Sequence, residues 1–502
     1  MICVTIACGS HKRMISEMAG LAEAGIRLVE LRLDFLRKMP DLGRLLPNRP
    51  LPVIVAVRRK QDGGLWSYDE EKRLLLLRTA IISGADYVDI EADIAAKVPR
   101  YGKTKRLISY HNFERVPEDL DALYEKILQQ TDPDVIKIAV TPRSIGDLFR
   151  LFAFMKKVNV PGRGKPTVVI GMGEVGFPTR VLGRKFGVPM TYATFSPQRL
   201  VTPGIPFYKD LRDEYRYESI NAETEVYGVI ADPIAHSLSP LIHNAAFAKA
   251  NLNKVYLPFR VPVGEAGELI EKASSLDLRG LSVTIPHKSD VIPRLTRMDP
   301  AVEEIGACNT IVFRDNATFG YNTDYMASAL CIETAMGGGR EGENSSLAGK
   351  QVLLLGAGGA GKAVAYGLLK KGARVTITDR KPEKAELAAR QLGCSFCDWE
   401  ARKSYVATLI ANCTSVGMFP EVDQTPIGPE SIRNGMFVFD AVYNPEQTYL
   451  LRLARQKGAT PISGLDMFIG QALLQFRLFT GQKTSASMIR DLLQEALALS
   501  RS

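Results

Sequence analysis

The chain has 502 residues, which is more than a single hydrophobic core organises, so two to four domains are expected. Its 46% hydrophobic and 24% charged residues are typical of a globular protein, and its net charge of +9 forms no Lys/Arg-rich block, which argues against a nucleic-acid partner. No apolar run approaches the roughly 18 residues of a membrane span. At the N-terminus the basic residues follow the apolar stretch, the reverse of a secretory signal, and with seven scattered cysteines we expect a cytoplasmic location.

Residues 1 to about 200 alternate short β-rich runs with helical stretches. The candidate strands lie at 2–7, 27–34, 52–58, 86–91, 106–111, 135–140, 167–171 and 191–195. Most of the gaps between them are long enough for a crossover helix, as in the βα units of a parallel sheet. The pattern favours a closed eight-stranded (β/α)8 barrel, and an open doubly wound sheet is the alternative.

The elements after the barrel change in character. A polar, turn-rich passage at 202–226 predicts an exit from the barrel and a linker. A new β run begins at 226, and a mixed α/β pattern continues to about 330. Residues 350–440 have a βαβ pattern, and residues 465–499 have the pattern of closing helices. We therefore expect three domains.

Two segments carry the glycine spacing of a dinucleotide-binding fingerprint. In the second, the strand "QVLLL" leads into Gly356, Gly358 and Gly361, a helix follows, and the next strand ends at Asp379. Such glycines permit a tight turn and a close approach of a pyrophosphate to the helix N-terminus. This copy therefore predicts a nucleotide site.

The first copy, "GMGEVG" at 171–176, lacks this setting. Pro178 predicts an interruption soon after Gly176 and only a short helix beyond it, and no acidic residue ends the next strand. Because Gly171 ends the seventh predicted barrel strand, we interpret the segment as a loop at the catalytic face of the barrel. Arg180 is then placed to reach an anionic substrate.

Several barrel strands carry charged residues among apolar ones. Glu30, Arg32 and Asp34 alternate along the second strand and would share its inward face, where a structural Glu–Arg–Asp network is one explanation. Lys137 lies in the sixth strand, where a free amine could attack a carbonyl, although an ion-paired lysine explains the pattern equally well. Arg58 and His111 end two further strands. Their convergence favours an enzyme.

Polar residues also follow strands in the second half. Ser237 and Ser239 precede a helix, where helix capping is the simpler explanation. Thr284 and Lys288 follow a buried strand, and a further strand-to-helix turn contains Asn322, Thr323 and Asp324; "ACNTIV" supplies Asn309. Lysine, aspartate, hydroxyl and amide groups beside a dinucleotide fold suit a polyhydroxylated acid next to a nicotinamide.

The first 215 residues resemble the type I 3-dehydroquinate dehydratases through "VELRLD", "SYHNFE", "VIKIAVTP" and "GMGEVGFPTR". The resemblance implies a TIM barrel that eliminates water from 3-dehydroquinate. It makes Lys137 the Schiff-base lysine and His111 the general acid/base. It also implies substrate-binding roles for Glu30, Arg32, Arg58 and Arg180.

The chain departs from that family at two places. The lid that usually reads Ser-Ala-Pro-Gly-Gln is Val201-Thr202-Pro203-Gly204-Ile205 here, so its serine and glutamine contacts are missing, or Thr202 replaces one. The carboxylate expected before a pair of glycines is Asp62 instead of glutamate. Both changes concern substrate affinity or lid closure more than the chemistry.

From about residue 226 to the C-terminus, the chain is similar to shikimate dehydrogenases. The similarity rests on "SLSPLIHN", "VTIPHK", "ACNT", "NTD", "GAGGAGKA", "NCTSVGM" and "GLDMFIGQALLQF". It implies that Lys288 and Asp324 form the catalytic pair. The implied shikimate-binding residues are Ser237, Ser239, Thr284, Asn309, Tyr443 and Gln471.

The resemblance also implies a nicotinamide cofactor. Its expected contacts are Gly356, Ala357, Gly358, Gly359, Ala360, Gly361, Arg380, Lys384 and Gly464, with Gly464 against the nicotinamide. Asp379 favours NAD through the ribose 2′-hydroxyl, whereas Arg380 with Lys381 and Lys384 favours the 2′-phosphate of NADP. We expect NADP. Cys394 and Cys397 lack further ligand residues, so no metal site is expected.

Together the two resemblances imply an α/β chain in which a (β/α)8 TIM barrel is fused to a two-domain shikimate dehydrogenase unit with a Rossmann-type domain. The expected ranges are 1–215 for the barrel, 223–330 with helices at 465–500 for the substrate-binding domain, and 331–464 for the cofactor domain. The implied function converts 3-dehydroquinate through 3-dehydroshikimate to shikimate. Alternatives are a catabolic, NAD-dependent quinate/shikimate dehydrogenase pairing and a non-catalytic metabolite sensor. The expected partners are these small molecules, and no oligomeric state is predicted.

Overall fold

The N-terminal strands form one sheet of eight parallel strands. The structure is a computed structural model and describes residues 1–162, 164–198, 201–202, 204–235, 237–338 and 345–499. The strands are β1 (Ile2–Ile6), β2 (Leu28–Arg32), β3 (Val53–Ala56), β4 (Tyr87–Glu91), β5 (Lys105–Asn112), β6 (Val135–Val140), β7 (Thr167–Gly171) and β8 (Thr191–Thr194). Their order is β7-β6-β5-β4-β3-β2-β1-β8, which is the order of a barrel whose seam lies between β7 and β8. The predicted eight strands and the barrel are confirmed; the ladder is nearly closed.

Helices follow most of these strands. They are α1 (His11–Glu23), α2 (Leu42–Leu45), α3 (Glu70–Ile82), α4 (Leu120–Thr131), α5 (Ile145–Val158) and α6 (Gly173–Leu182). Four of them have an N-cap residue whose side-chain oxygen accepts a backbone N–H of the first turn. These residues are Ser10, Asp69, Asp119 and Ser144. The strands are almost wholly buried, as parallel strands covered by helices must be.

A second, mixed sheet begins where the sequence pattern changes. Its strands are β9 (Glu225–Ala231), β10 (Lys254–Arg260), β11 (Leu278–Val283), β12 (Arg297–Met298), β13 (Thr310–Arg314) and β14 (Ala317–Tyr321), in the order β10-β9-β11-β13-β14-β12. Its helices are α7 (Ser239–Lys249), α8 (Ala266–Glu271), α9 (Pro300–Ile305) and α10 (Asp324–Ala335). The passage before β9, predicted to be a linker, contains two short helical turns at Asp210–Glu214 and Tyr217–Ser219.

The third sheet is parallel and has the strand order of a Rossmann-type fold. Its strands are β15 (Gln351–Leu355), β16 (Arg374–Thr378), β17 (Ser395–Phe396), β18 (Leu409–Asn412), β19 (Phe437–Asp440) and β20 (Thr460–Ser463), in the order β17-β16-β15-β18-β19-β20. Helices α11 (Gly359–Lys370), α12 (Pro382–Leu392) and α13 (Tyr449–Gln456) connect them, and α14 (Gly464–Thr480) and α15 (Ala486–Leu499) follow. The predicted βαβ region and closing helices are thus present, although residue 500 lies outside the described ranges.

The chain separates into two compact units. One contains Met1–Val226, Ala231–Ser237 and Asn253–Asp277, and the other contains Tyr227–Ile230, Leu238–Leu252 and Leu278–Ser502. Apolar residues from both faces of the Rossmann-type sheet form two clusters in the second unit. Within the described ranges, no helix is both long and apolar enough to cross a membrane.

Candidate active sites

A pocket with an empty volume of about 490 Å³ lies in the barrel unit. Side chains from the strands and the following loops line it. They include all six residues predicted from the sequence, namely Glu30, Arg32, Arg58, His111, Lys137 and Arg180. The barrel therefore gathers two acid/base groups, an amine and three guanidinium groups in one cavity.

The Lys137 amine lies near the centre of this group. Its Nζ is 3.3 Å from Glu30 Oε1, 3.3 Å from Asp89 Oδ2 and 4.0 Å from the centre of the Tyr192 ring. Only 6% of Lys137 is exposed. An amine held in this way can be presented to a carbonyl carbon as a nucleophile once it loses a proton.

The sequence analysis missed the acidic residues of the fourth strand. Arg58 forms ion pairs with Asp89 and with Glu91, the latter at 3.3 Å, and donates to Ser109 Oγ at 2.8 Å. Burial opposes ionisation of Asp89, but the charges of Arg58 and Lys137 hold its pKa below the ordinary value. Asp89 and Glu91 alternate along β4 as Glu30 and Arg32 do along β2, so the same criterion applied to "YVDIE" would have found them.

The Glu–Arg–Asp network offered as one explanation for the second strand does not form as a single network. Arg32 makes two hydrogen bonds to Asp34, at 2.9 and 2.8 Å, but Asp34 lies in a helical turn after β2. Glu30 instead accepts from Thr5 Oγ1 at 2.9 Å and contacts Lys137. The strand ends at Arg32, so the two-residue alternation does not extend to Asp34.

His111 lies at the end of β5 among positive charges. Enclosure in the pocket and the nearby charges of Arg58, Lys137 and Arg32 lower its pKa well below the ordinary value. Its Nδ1 atom is buried and has no hydrogen-bond partner among the described residues. His111 is therefore a neutral imidazole near pH 7 and is able to accept a proton.

Arg180 is 2% exposed, and the described residues offer its guanidinium no ion pair. Its Nε is buried without a partner, and burial lowers its pKa to about 10. A buried cation without a counter-ion is costly to the folded protein. The arrangement suits an anionic ligand, which would supply the missing charge.

The glycine motif that includes Gly171 packs backbone against backbone. A Cβ on Gly171 would lie 2.7 Å from Gly176 Cα, and Thr179 Oγ1 accepts the Gly171 N–H at 2.8 Å. The prediction that Pro178 precedes only a short helix is wrong, because α6 already begins at Gly173 and contains Pro178. Pro178 is the sixth residue of α6, so its missing N–H removes one hydrogen bond of the helix without ending it.

The altered lid also borders the pocket. Val201, Thr202 and Ile205 line it, as does Asp62, which pairs with Arg59 at 2.6 Å. Pro203 lies outside the described residues. Two of the lid positions that face the pocket are therefore apolar.

In the second unit, Lys288 Nζ lies 2.6 Å from Asp324 Oδ2. Lys288 follows β11, and Asp324 begins α10 directly after β14. Asn322 braces this turn: its Oδ1 accepts the Asp324 N–H at 3.1 Å and its Nδ2 donates to Ala307 O at 2.9 Å. The fold thus brings together the amine and the carboxylate that the resemblance pairs.

Asn309 is buried and bound to the same turn. Its Oδ1 accepts the Thr323 N–H at 2.8 Å, and its Nδ2 donates to Thr323 Oγ1 at 2.9 Å. Gln475, which the sequence analysis did not select, donates to Thr310 Oγ1 at 2.9 Å and to Asn309 O at 3.3 Å. These contacts fix the start of β13 and the turn that contains Thr323 and Asp324.

The remaining predicted substrate residues lie in loops, at the start of α7 and, for Gln471, inside α14. The Tyr443 ring stacks on Phe468 at 4.4 Å, and Gln471 Nε2 donates to Phe468 O at 3.1 Å. Thr284 follows β11 directly. Helix α7 begins at Ser239 with Leu238 at its N-cap and no side-chain cap, so the simpler capping explanation for the serines is wrong. Ser237 lies in the loop before α7, with its N–H on Ile234 O at 3.1 Å.

The second glycine motif has the geometry that close approach to a ligand requires. Gly356 has φ +102°, and a Cβ on Gly361 would lie 1.9 Å from Gly356 O. Space is open at Gly358, and a Cβ at Gly359 would lie 3.4 Å from Lys288 Cδ. Ala357 and Ala360 belong to this loop and the start of α11. The loop therefore lies next to the Lys288–Asp324 pair.

The residues that follow β16 and bear on cofactor choice differ in their contacts. Asp379 Oδ2 accepts the Ala357 N–H at 2.9 Å and Oδ1 accepts the Lys381 N–H at 3.0 Å. Arg380 and Lys384 are exposed. Asp379 thus braces the glycine-rich loop with both of its oxygens, while the guanidinium and amine remain accessible to an anion.

Asp440, at the end of β19, joins two loops near the cofactor motif. It accepts hydrogen bonds from Asn412 Nδ2 at 2.9 Å, from the Val442 N–H at 3.1 Å and from Thr448 Oγ1 at 2.6 Å. A Cβ on Gly464 would lie 2.5 Å from Asp440 O. The sequence analysis did not select Asp440, although an acid that ends a buried strand was a signal.

Four family models match successive parts of the chain. Residues 2–222 match the model for type I 3-dehydroquinase, and residues 229–311 match the shikimate dehydrogenase substrate binding domain. Residues 340–413 match the model for shikimate/quinate 5-dehydrogenase, and 464–494 match the shikimate 5′-dehydrogenase C-terminal domain.

Individual relatives agree. The chain is 39% identical over 502 residues to a chloroplastic bifunctional 3-dehydroquinate dehydratase/shikimate dehydrogenase of Arabidopsis thaliana, covering 96% of this chain and 82% of that one. It is 39% identical to a shikimate dehydrogenase (NADP(+)) of Moorella thermoacetica over 56% of this chain and 96% of that one. A crystal structure of a shikimate dehydrogenase in complex with NADP+ matches with TM-score 0.52 and 34% identity, covering 55% of this chain and 97% of that one.

Proposed function

The chain belongs to the family of bifunctional 3-dehydroquinate dehydratases/shikimate dehydrogenases, and from that premise we propose which residues perform each of its two reactions. It is a lyase and an oxidoreductase of the shikimate pathway. The barrel converts 3-dehydroquinate to 3-dehydroshikimate, and the second activity reduces 3-dehydroshikimate to shikimate.

In the barrel, Lys137 is the nucleophile. Lys137 gives up one proton and attacks the substrate ketone as the free amine; that proton returns as the hydroxyl leaves as water, and a protonated imine, R–NH⁺=C, joins Lys137 to the substrate. The positive nitrogen acidifies the adjacent carbon. The buried amine with its two carboxylate neighbours is the observation that supports this role.

His111 moves the protons of the elimination. Its neutral imidazole takes the proton from the acidified carbon, and the resulting imidazolium protonates the departing hydroxyl, so that water leaves. Hydrolysis of the imine then releases the product and the free lysine. The charges of Arg58, Lys137 and Arg32, which lower the pKa of His111, favour return of the proton to the leaving group.

Binding of the substrate carboxylate falls to Arg180, whose buried guanidinium is unpaired among the described residues. Arg58 is already paired with Asp89 and Glu91, so its role is to hold Asp89 in position beside Lys137. Glu30 and Arg32 complete the polar wall of the pocket.

In the dehydrogenase, Lys288 transfers the proton to or from the substrate oxygen and Asp324 holds the amine at that point. The 2.6 Å contact between them supports this assignment. We assign shikimate binding to Ser237, Ser239, Thr284, Asn309, Tyr443 and Gln471. The brace that Asn309 makes to Thr323 also gives it a positioning role.

The cofactor is NADP, in line with the NADP-dependent relatives. The glycine-rich loop at 356–361 fits a bound dinucleotide because the space at Gly358, before the first turn of α11, is open, while Gly361 permits the tight packing of the loop on itself. When bound, NADPH supplies the hydride. Arg380 and Lys384 would hold its 2′-phosphate, while both oxygens of Asp379 are already used by backbone N–H groups.

Three domains and a cytoplasmic location complete the proposal. The three separate sheets support a barrel at 1–215, a substrate-binding domain at 223–330 with 465–500, and a cofactor domain at 331–464. All seven cysteines are unpaired, which supports a reducing compartment. The partners are small-molecule substrates.

Trapping with borohydride tests the barrel mechanism directly. Reduction in the presence of 3-dehydroquinate should attach the substrate covalently to Lys137, and Lys137→Ala should abolish both the adduct and dehydratase activity. An active enzyme from which mass spectrometry recovers no adduct at Lys137 would exclude the imine route.

A further inference from the structure

Tyr192 contacts the reactive amine, and no role has been assigned to it above. Four even-numbered strands each contribute one inward residue to a layer of the barrel: Glu30 from β2, Asp89 from β4, Lys137 from β6 and Tyr192 from β8. Lys137 Nζ touches the other three members of this layer. Tyr192 also lines the pocket and is 3% exposed.

The contacts of Lys137 with the two carboxylates and its contact with the Tyr192 ring respond differently when the imine forms. As an ammonium, Lys137 has three N–H donors, which can serve both carboxylates. When R–NH₃⁺ and O=C condense to R–NH⁺=C and water, the nitrogen keeps its positive charge but only one N–H. One carboxylate contact must therefore weaken, whereas attraction between a cation and a ring face needs no N–H.

We propose that the face of the Tyr192 ring stabilises the positive charge of the Lys137 imine during dehydration of 3-dehydroquinate. The proposal rests on the assigned role of Lys137. At 4.0 Å from the ring centre, and shielded from water, the nitrogen lies within the distance at which such attraction is strongest.

The hydroxyl of Tyr192 is not what holds the ring in place. It is buried and has no hydrogen-bond partner among the residues that the structure describes. Burial raises the pKa of this phenol well above its ordinary value, so the ring stays neutral. A phenylalanine ring would therefore do the same work, and removal of an unpaired buried hydroxyl should not destabilise the barrel.

The test uses the 502-residue chain with 3-dehydroquinate as the probe and borohydride to trap the imine. Tyr192→Phe should form the Lys137 adduct as readily as the wild type and keep its dehydratase kcat. Tyr192→Leu, which removes the ring, should require about tenfold more substrate for half-maximal trapping and lose kcat by a similar factor. Dehydrogenase activity should be unchanged in both.

Tyr217→Leu is the matched control. Tyr217 also has a fully buried side chain and a hydroxyl without a partner among the described residues, but it lies outside the pocket. It should cost stability without changing the trapping curve. If Tyr192→Leu does not fold, phenylalanines with increasing numbers of ring fluorines at position 192 replace it. Fluorine withdraws electron density from the ring face at nearly constant shape, so trapping should weaken stepwise.

Loss of trapping in Tyr192→Phe would overturn the proposal, because it would assign the role to the hydroxyl. Equal trapping by Tyr192→Leu and wild type, or no trend across the fluorinated series, would also overturn it. A wild-type enzyme that forms no adduct at all would contradict the assigned role of Lys137 instead, so the two failures are distinguishable.

Discussion

Lys288 Nζ and Asp324 Oδ2 lie 2.6 Å apart although 36 positions separate the two residues in the chain. The two groups come from different strand ends, and Asn322 and Asn309 fix the turn that carries the aspartate. The pair is only slightly exposed, with 16% and 9% of the two side chains accessible. A proton can therefore be exchanged with substrate at a defined point beside the glycine-rich loop.

Removal of this amine should abolish the second reaction and spare the first. We expect Lys288→Ala to lower dehydrogenase kcat by about 10²–10⁴-fold, because general acid/base catalysis typically contributes that much. Oxidation of shikimate with NADP+ measures the loss, and formation of 3-dehydroshikimate from 3-dehydroquinate measures the dehydratase. A parallel loss of both activities would contradict independent chemistry.

Replacing Arg180 should weaken dehydratase activity and stabilise the ligand-free protein. Its buried guanidinium is an uncompensated charge in the folded state, so Arg180→Met should raise the melting temperature while lowering dehydratase kcat/KM by about a hundredfold or more. Thermal unfolding with and without substrate gives both effects. Arg143→Gln, at an exposed arginine, is the control and should change neither; a lower melting temperature for Arg180→Met would contradict the account.

Both charged residues after β16 should affect cofactor choice, Arg380 in favour of NADP and Asp379 against it. Arg380→Ala should reduce the ratio of kcat/KM for NADP+ to that for NAD+ by about 10–100-fold, the value of hydrogen bonds to a charged group. Asp379→Asn should raise the ratio, because it removes a negative charge near the 2′-phosphate site. Arg390→Ala, at an exposed arginine of α12, serves as the control. If the ratio of kcat/KM for NADP+ to that for NAD+ stayed the same in Arg380→Ala, Arg380 would not bind the 2′-phosphate of NADP.

Asp440 should make stability depend on pH. Burial raises its pKa to about 6 despite hydrogen bonds from Thr448, Val442 and Asn412, whereas an aspartate in an unfolded chain titrates near 3.9. Because the folded-state pKa is the higher one, this group stabilises the fold below about pH 4, and the benefit is lost as the pH rises through about 6.

Asp440→Asn keeps the shape without the charge. Its melting temperature relative to wild type should therefore rise between pH 4.5 and pH 8, by the equivalent of up to about 3 kcal/mol. Asp315→Asn, which removes a carboxylate from an exposed turn, is measured beside it as the surface control. A difference for Asp440→Asn that stays constant across this pH range would show that the buried carboxyl does not titrate there.

The sequence predicted the repeated patterns well and the single interactions poorly. Eight strands of the barrel and the βαβ region were readable because buried parallel strands form continuous apolar runs. Pro178 misled because its effect on a helix depends on packing between Gly171 and Gly176, which no local pattern encodes. Tyr192 was missed because its importance comes from the contact with Lys137 that barrel closure creates. Asp89, by contrast, could have been found from the alternating charges in "YVDIE".

The alternatives raised by the sequence are addressed by the same residues. A non-catalytic sensor would have no need of an enclosed amine between two carboxylates or of the Lys288–Asp324 pair. A catabolic, NAD-dependent pairing would place Asp379 on a ribose hydroxyl; here each of its oxygens accepts one backbone N–H, from Ala357 and from Lys381.

A coupled assay that starts from 3-dehydroquinate and NADPH tests the central claim most directly. The wild type should oxidise NADPH and produce shikimate without an added enzyme. Lys137→Ala should produce none until 3-dehydroshikimate is supplied, and Lys288→Ala should accumulate 3-dehydroshikimate. Production of shikimate from 3-dehydroquinate by either variant at the wild-type rate would contradict the assignment of two active sites on this chain.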